Sequence, residues 1–392
     1  MMITIEKAYE TVMGTGFRTG VETISFETSA GRILAEDIRS DIDMPPFNRS
    51  AVDGYACMKS DLEMELEVAE VIRAGKEPVK KPLKGQCSKI MTGAIVPDGC
   101  DFVFMIEDSR ILPSGKVIYT GKALKPNMSL KGEDVRKGDV VLRKGRLIRP
   151  QDIAVMAAVG HVEVRVAVRA SVGIISTGDE LVEPSGRPEI SRIRNTNSYQ
   201  LAAQAVRAGA VTKYYGIAPD EEDRTYMMIS EAISETDVLL LTGGVSMGDF
   251  DFVPGVLKRA GVNILFDQVN VQPGKPTTFG VHPSCIVFGL PGNPVSAFIQ
   301  FELLVRPLLC KMMGNSFRPA QLNLPMGVNY QRKQSSRVAF VPVTINENNE
   351  VIPVEYHGSA HITAFPYADG IIRLDPGTEY IKKGEVVIVR QI

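Results

Sequence analysis

The chain has 392 residues, 44% of them apolar, with 44 lysines and arginines against 46 aspartates and glutamates, a formal net charge of −2. That length and apolar share suffice for several buried cores, so two to four domains are expected. The charge balance leaves no electrostatic footprint for nucleic acid, no apolar run reaches the roughly 20 residues of a membrane span, and the five cysteines contain no C-x-x-C pair; the expected partners are small molecules or a second copy, and the expected compartment is cytoplasmic.

From the N-terminus, "MMITIEKAYETVM" reads as an amphipathic helix. From about 21 to 170, short β-like runs such as "VETISFE", "CDFVFMI", "KVIYTG" and "VEVRVAV" alternate with Gly and Pro turns, which predicts small β-rich modules. Among them "PPFNRSAVDGYA", residues 45–56, follows neither helical nor strand spacing and carries one carboxylate, Asp53. Little helix is expected in this half apart from "RPQDIAVMAAVG", 149–160, where Pro150 suits a first turn and Gly160 a stop.

At 171 the pattern changes. The apolar runs "SVGIIST", "VTKYYGI", "DVLLLTGG" and "CIVFGLPG" read as strands, separated by the helical stretches "SYQLAAQAVRAG", "DEEDRTYMMISEAISE" and "DFVPGVLKRAG" and followed by the long helix "PVSAFIQFELLVRPLLCKMM". This predicts a doubly wound parallel sheet covered on both faces. After Gly314, "QLNLPMGVNYQ", "VAFVPVTIN", "VIPVEYHG" and "EVVIVRQI" predict a small terminal β domain, so the expected class is multidomain α/β plus β.

In an open α/β sheet, ligands bind beyond the carboxyl ends of the strands. There "STGDEL" places Asp179 and Glu180, and "APDEEDR" places Asp220, Glu221 and Glu222 before a helix, where acids also offset the macrodipole and Asp220 is a candidate N-cap. "TGGVSMGDFDF" combines Gly243, Gly244 and Ser246 with Asp249 and Asp251: glycines let backbone N–H groups approach an anion, and carboxylates suit a hard cation such as Mg²⁺. In "GLPGNPVSA", Pro291, Gly292, Asn293 and Ser296 lead into a capped helix N-terminus, a ready anion site. "VQPGKPTTFG" presents Lys275 on a stiff turn, suited to a phosphate or oxyanion. Together these loops describe a site for a phosphorylated ligand with a divalent metal. A Ser-His-Asp or Cys-His nucleophile, a Walker A loop and G-x-G-x-x-G are all missing from them.

In this order the stretches "PPFNRSAVDGYA", "IMTGAIVPDGCD", "KGEDVRKGD", "STGDEL", "TGGVSMGDFDF", "QPGKP" and "GLPGNPVSA" resemble the MoeA family, the molybdopterin molybdenumtransferases, which include the C-terminal domain of gephyrin. The resemblance implies the last step of molybdenum cofactor synthesis, in which adenylyl-molybdopterin and molybdate react with Mg²⁺ present, AMP leaves and the metal stays on the pterin dithiolene. It implies domain I from 1–44 with 131–170, its N-terminal helix packing on the α/β unit; domain II, 45–130; a MogA-like domain III, 171–315; and a β-barrel domain IV, 316–392. A homodimer is implied too, with the cleft between domain III of one chain and domain II of its partner; an adenylyltransferase and recipient molybdoenzymes are further implied partners.

Position by position, the resemblance assigns catalysis to Asp53, Thr92, Asp134 and Glu180, and Mg²⁺ to Asp220 and Asp251. It assigns the pterin nucleotide to Gly243, Gly244, Ser246, Pro291, Gly292, Asn293 and Ser296, and molybdate to Lys275 and Arg337. Three positions depart from the family pattern: Gln272 replaces the first lysine of K-P-G-K-P, Pro342 the second arginine of R-x-x-F-x-R, and Ala364 a common serine. These keep open a non-catalytic scaffold or regulatory paralogue, and the shared α/β unit keeps open a molybdopterin adenylyltransferase.

Overall fold

The structure is a computed structural model that describes residues 2–122, 125–244, 253–355 and 358–392. Its largest sheet has seven strands in the order Met2–Ile3, Asn263–Val269, Pro276–Val281, Ile286–Leu290, Val238–Thr242, Ser171–Thr177 and Val211–Ala218. The central strands are unbroken apolar runs because both faces are covered. Val172, Ile174, Val238, Leu240 and Phe288 face a layer formed by the helices Ile5–Gly14 and Asn197–Arg207 and the helical stretch 294–312. Ile175, Leu239, Leu241 and Val287 face the helices Glu222–Glu235 and Val253–Arg259. Burying each such side chain contributes about 1.5–3 kcal/mol.

The sheet is doubly wound as expected, but it is mixed rather than purely parallel. Pro276–Val281 runs antiparallel to both of its neighbours. This segment, expected as a stiff turn, is a strand, and so is Asn263–Val269, whose polar residues interrupt its apolar ones and hide its period. Proline is tolerated at the first residue of a strand, which is where Pro276 stands. The N-terminus joins the same unit: Met2–Ile3 pairs in parallel with Gln268–Val269, and Ile5, Ala8 and Val12 enter its core.

The strands Ser171–Thr177 and Val238–Thr242 are neighbours, and the helices that follow them lie on opposite faces. The two connections therefore part, and a crevice opens at the carboxyl edge. The expected long helix runs from 294 to 312, but Phe301–Val305 is a π turn between two α segments. Pro307 accounts for it, since it lacks an N–H and its ring crowds the preceding turn.

In the N-terminal half, Val21–Ser25 pairs with Glu163–Ala167 and Ile38–Arg39 with Val140–Leu142, around a core that includes Leu34, Ile148, Val164 and Met156 of the helix Pro150–Ala158. A separate four-stranded sheet has the order Glu67–Ile72, Gln86–Ile90, Gly54–Cys57, Phe102–Met105. The aperiodic 45–56 stretch thus ends in an internal strand. Its period is hidden because all four residues of Gly54–Cys57 are buried. Gly54 is obligatory, since a Cβ there would lie 1.9 Å from the Phe104 carbonyl oxygen, and Tyr55 stacks on Phe104 at 5.4 Å.

The C-terminal sheet runs Val271–Gln272, Val338–Ile345, Gly370–Leu374, Val386–Gln391, Gln321–Pro325, with Val351–Pro353 also on Val338–Ile345. The Gln321–Pro325 side meets Val351–Pro353 only through a bridge between Met326 and Val351, so among the described residues no ladder closes it. A 3-10 turn at Ile362–Tyr367 interrupts a region expected to lack helix. Among the described residues no helix is long and apolar enough to cross a membrane.

Candidate functional site

A cavity of about 780 Å³ occupies the crevice at the carboxyl edge. Thr177 and Glu180 from one strand end, Thr242 and Gly243 from the next, and Gly292 and Asn293 from a third line it. The chain can approach this closely only through glycine. Gly243 has φ +89°, and a Cβ there would lie 2.5 Å from the Thr177 carbonyl oxygen; at Gly244, φ +58°, it would lie 2.7 Å from Thr177 Oγ1.

Asn197, the first residue of its helix, ties two of these loops together: its Nδ2 donates to Thr242 Oγ1 at 2.7 Å and to the Gly292 carbonyl at 2.8 Å. Its Oδ1 and Thr177 Oγ1 are buried, and neither has a hydrogen-bond partner among the described residues. Orphaned polar atoms at a cavity wall are what a polar ligand would satisfy. In the wall itself, Asn195 accepts from Ser176 and donates to the Tyr214 hydroxyl, and behind it Glu183 accepts from the Tyr214 and Tyr199 hydroxyls. Burial first and then Glu183 raise the Tyr214 pKa, so Tyr214 remains a neutral donor.

The expected acids fall on the same rim. Asp220 donates its N–H to Asp179 Oδ1 at 3.1 Å, and Asp179 donates its own to Asp220 Oδ2 at 3.4 Å, which holds two exposed carboxylates together. Oxygen donors of this kind suit a hard divalent cation. Asp220 is not the N-cap: Glu221 takes that position, without a side-chain cap bond. Asp251, the other expected metal residue, lies outside the described residues, as do Ser246 and Asp249. Among the described residues no three His, Cys, Asp or Glu side chains cluster as a metal site.

The helix N-terminus at 293 is less open than the sequence suggests. Asn293 stands at the N-cap, but its side chain donates to Ser359 Oγ at 2.8 Å instead of capping. Pro294 has no N–H, and that of Val295 is given to the Ser359 carbonyl at 3.1 Å. Ser296 is buried in the helix and does not line the cavity. The 358–362 segment therefore closes one wall, and Ala360 and Ile362 line it.

Lys275 is exposed at the same edge, at the start of the antiparallel strand, and Gly274 beside it has φ +107°. Its turn is held by Gln300, whose Nε2 donates to the Pro273 carbonyl at 3.2 Å. Arg337 reaches this segment by donating to the Val271 carbonyl at 3.3 Å, and Val271–Gln272 pairs with Val338–Ala339. Thus Lys275 and Arg337 stand on adjoining segments, with Gln272 between them in the ladder.

Asp53 and Thr92 are also together, but elsewhere. The Thr92 N–H and hydroxyl both donate to Asp53 Oδ1 at 2.7 Å, and the backbone bond, then the side-chain bond, hold the Asp53 pKa below the usual carboxylate range. Both residues are exposed on the four-stranded module. Asp134 is exposed on a loop whose backbone pairs with Met44, beside the start of the 45–56 stretch. None of the three lines the rim cavity. All five cysteines are buried and burial raises their pKa values, so no thiolate nucleophile is offered.

Sequence reasoning missed Thr177 and Asn197 as wall residues and Ser359 as the group covering the helix start. Thr177 is inside the quoted "STGDEL", and a strand-end threonine facing a glycine pair was a signal; Asn197 and Ser359 act through tertiary contacts that no local spacing reveals.

The fold and this cavity define a multidomain α/β protein with a polar ligand site at the switch point of its sheet. Three family models match the chain: the MoeA N-terminal region (domain I and II) over residues 3–160, a probable molybdopterin binding domain over 173–311, and the MoeA C-terminal region (domain IV) over 328–392. The chain is 34% identical to a molybdopterin molybdenumtransferase of Staphylococcus epidermidis over 99% of its own length and 95% of the relative's. It is 35% identical to one of Bacillus subtilis over 94% and 89% of the two chains. Its fold matches the crystal structure of a molybdopterin biosynthesis MoeA protein from Pyrococcus horikoshii OT3 with a TM-score of 0.87 and 30% identity, covering 100% of both chains. The chain belongs to the MoeA family.

Proposed function

We propose that this chain is a molybdenumtransferase of molybdenum cofactor biosynthesis, which inserts molybdate into adenylyl-molybdopterin and releases AMP. The switch-point cavity carries the reading: it combines polar and apolar lining residues, is walled by strand ends that approach one another only through glycines, and has two orphaned polar atoms, Thr177 Oγ1 and Asn197 Oδ1. Its volume of about 780 Å³ falls within the roughly 300–1,000 Å³ of ligand pockets and suits a pterin nucleotide.

In this account the N–H of Gly244 and the side chains of Thr177 and Asn197 orient the pyrophosphate and nucleotide, while the Gly243 N–H donates to the Leu290 carbonyl at 3.4 Å and fixes the turn. Asp179 and Asp220, with Asp251, would hold Mg²⁺, which when bound neutralises charge on the pyrophosphate. Lys275 attracts molybdate, and Arg337 donates to the Val271 carbonyl beside it. Asp53, kept anionic by Thr92, orients or deprotonates the attacking group, and Glu180 stands at the cavity wall for the same class of proton work. Orientation and fixed dipoles provide the acceleration, with no covalent enzyme intermediate.

Two chains form the working unit, and Asp53, Thr92 and Asp134 of one serve the rim of the other. That arrangement explains why a cavity and a tuned carboxylate occupy different modules of one chain. The terminal sheet, with its single Met326–Val351 bridge, acts as a partly closed barrel that supplies Ser359 and Arg337 to the rim. The compartment is the cytoplasm, where the adenylyltransferase and the recipient molybdoenzymes would meet the chain.

Purified chain incubated with adenylyl-molybdopterin, Mg²⁺ and molybdate should release AMP in step with cofactor that activates an apo-molybdoenzyme. Absence of AMP release contradicts the proposal and leaves the scaffold reading. Formation of adenylyl-molybdopterin from ATP would instead favour the adenylyltransferase.

A further inference from the structure

A second cavity, of about 650 Å³, lies at the amino edge of the large sheet. Val206–Gly209, at the end of the Asn197–Arg207 helix, and Ala167 and Arg169, just before the Ser171–Thr177 strand, line it. The helix whose first residue, Asn197, serves the rim therefore ends at this second cavity, and its 11 residues span roughly 16 Å. The opposite wall comes from the N-terminal module at Gly31–Ile33 and Arg146–Leu147, so the space lies between two modules.

Its lining is arginine-rich and, among the described residues, contains no Asp or Glu. Four of the arginines have carboxylate partners behind the wall. Arg32 bonds Glu22 and the Ala167 carbonyl, Arg146 makes two 2.9 Å bonds to Asp152, and Arg207 and Arg306 share the buried Glu302. Arg149 adds its charge near Asp152, which Arg146 already engages through both oxygens. Arg169 and Arg318 have no carboxylate partner among the described residues. Phe317 forms part of the wall, with the Arg306 guanidinium 4.7 Å from its ring centre.

Seven arginines thus line one space, with three carboxylates, Glu22, Asp152 and Glu302, paired to four of them. Seven positive charges against three negative ones leave an excess that an anion shared by several of the arginines would offset. Guanidinium forks match phosphate oxygens two at a time, which lysine cannot do. The volume lies in the range of small-molecule sites and is too confined for a folded partner.

We propose that this cavity binds a compact polyvalent phosphate, either free or as the phosphate chain of a nucleotide, and so fastens the N-terminal module to the α/β unit. The site is separate from the rim and does not depend on the reaction assigned there. Phosphate oxygens would bridge Arg169 and Arg318 to the guanidiniums already anchored by Glu302 and Asp152. Binding would weaken steeply with added salt, as expected for a charge-driven site.

The test is isothermal titration calorimetry on the full chain with inorganic pyrophosphate in one arm and ADP in the other. Arg169→Ala/Arg318→Ala should weaken a pyrophosphate site about 10- to 100-fold, whereas Lys275→Ala, at the rim, should leave that site intact. Arg169→Lys/Arg318→Lys, which keeps charge but loses the forks, should fall between. Binding of pyrophosphate alone identifies a free anion; comparable binding of ADP identifies an ester-linked chain. AMP release by the double alanine variant without added pyrophosphate should match the parent chain. Unchanged pyrophosphate binding in that variant overturns the proposal. So does absence of binding to the parent chain with loss of its dimer in the variant, since the cavity would then be an interface filled by acids of a second copy.

Discussion

The rim of the large sheet and the exposed face of the four-stranded module are opposite halves of one problem. The rim has a cavity, close glycine approaches and orphaned polar atoms, yet none of Asp53, Thr92 and Asp134 lines it. The module has a carboxylate kept anionic by two bonds from Thr92, but that carboxylate stands exposed, away from the rim cavity. The rim can hold a ligand, with Glu180 at its wall, while the module presents its tuned carboxylate outside that cavity. The proposed site shared between two copies of the chain would join the two halves, since a twofold dimer would present each half to the other twice.

The contrast breaks most sharply at Asp53. Asp53→Asn should lower kcat by about 10²- to 10⁴-fold, the usual contribution of a positioned acid or base, while adenylyl-molybdopterin still binds; a large rise in half-saturation with unchanged kcat would place Asp53 in binding instead. Lys275→Ala should raise the half-saturating molybdate concentration about 10- to 100-fold and leave pterin binding alone, as read from AMP release against molybdate concentration.

Asn197→Ala tests the rim's architecture. It removes the bonds to Thr242 and Gly292, which should cost about 1–3 kcal/mol in urea denaturation and weaken adenylyl-molybdopterin binding while sparing Asp53 chemistry. Thr92→Val should have the smallest effect, visible only against pH. The Asp53 pKa is depressed, so activity that needs the carboxylate is present above that pKa and falls as pH drops through it. Losing the hydroxyl while keeping the Thr92 N–H raises the pKa part of the way, so the acid limb should move to higher pH; an unmoved limb would show that Thr92 does not tune Asp53.

Much of this was legible in the sequence, for identifiable reasons. The strands Ser171–Thr177 and Val238–Thr242 and their helices are long, apolar and separated by capped turns, so their periods speak for themselves. Asn263–Val269 and Pro276–Val281 did not, because a mixed edge places polar residues and prolines where a buried parallel strand has none. Gly54–Cys57 was hidden by burial on both faces, which erases alternation. Among site residues, the Asp53–Thr92 pair lies 39 positions apart in the chain, so spacing could not bring it together; only the resemblance named both. Asp179 and Asp220 were visible as acids at strand ends, but their exchange of N–H bonds is a tertiary fact, as is the covering of the Asn293 turn by Ser359.

The measurement that tests the shared site most directly is complementation between Asp53→Asn and Asp220→Asn chains, each inactive alone, unfolded and refolded as an equal mixture and assayed for AMP release. If Asp53 serves the partner's rim, half the dimers are mixed and each has one intact site, so activity should return to about a quarter of the parent's. If the mixture stays at the level of the separate variants although mixed dimers have formed, Asp53 and the rim act within one chain and the account is wrong.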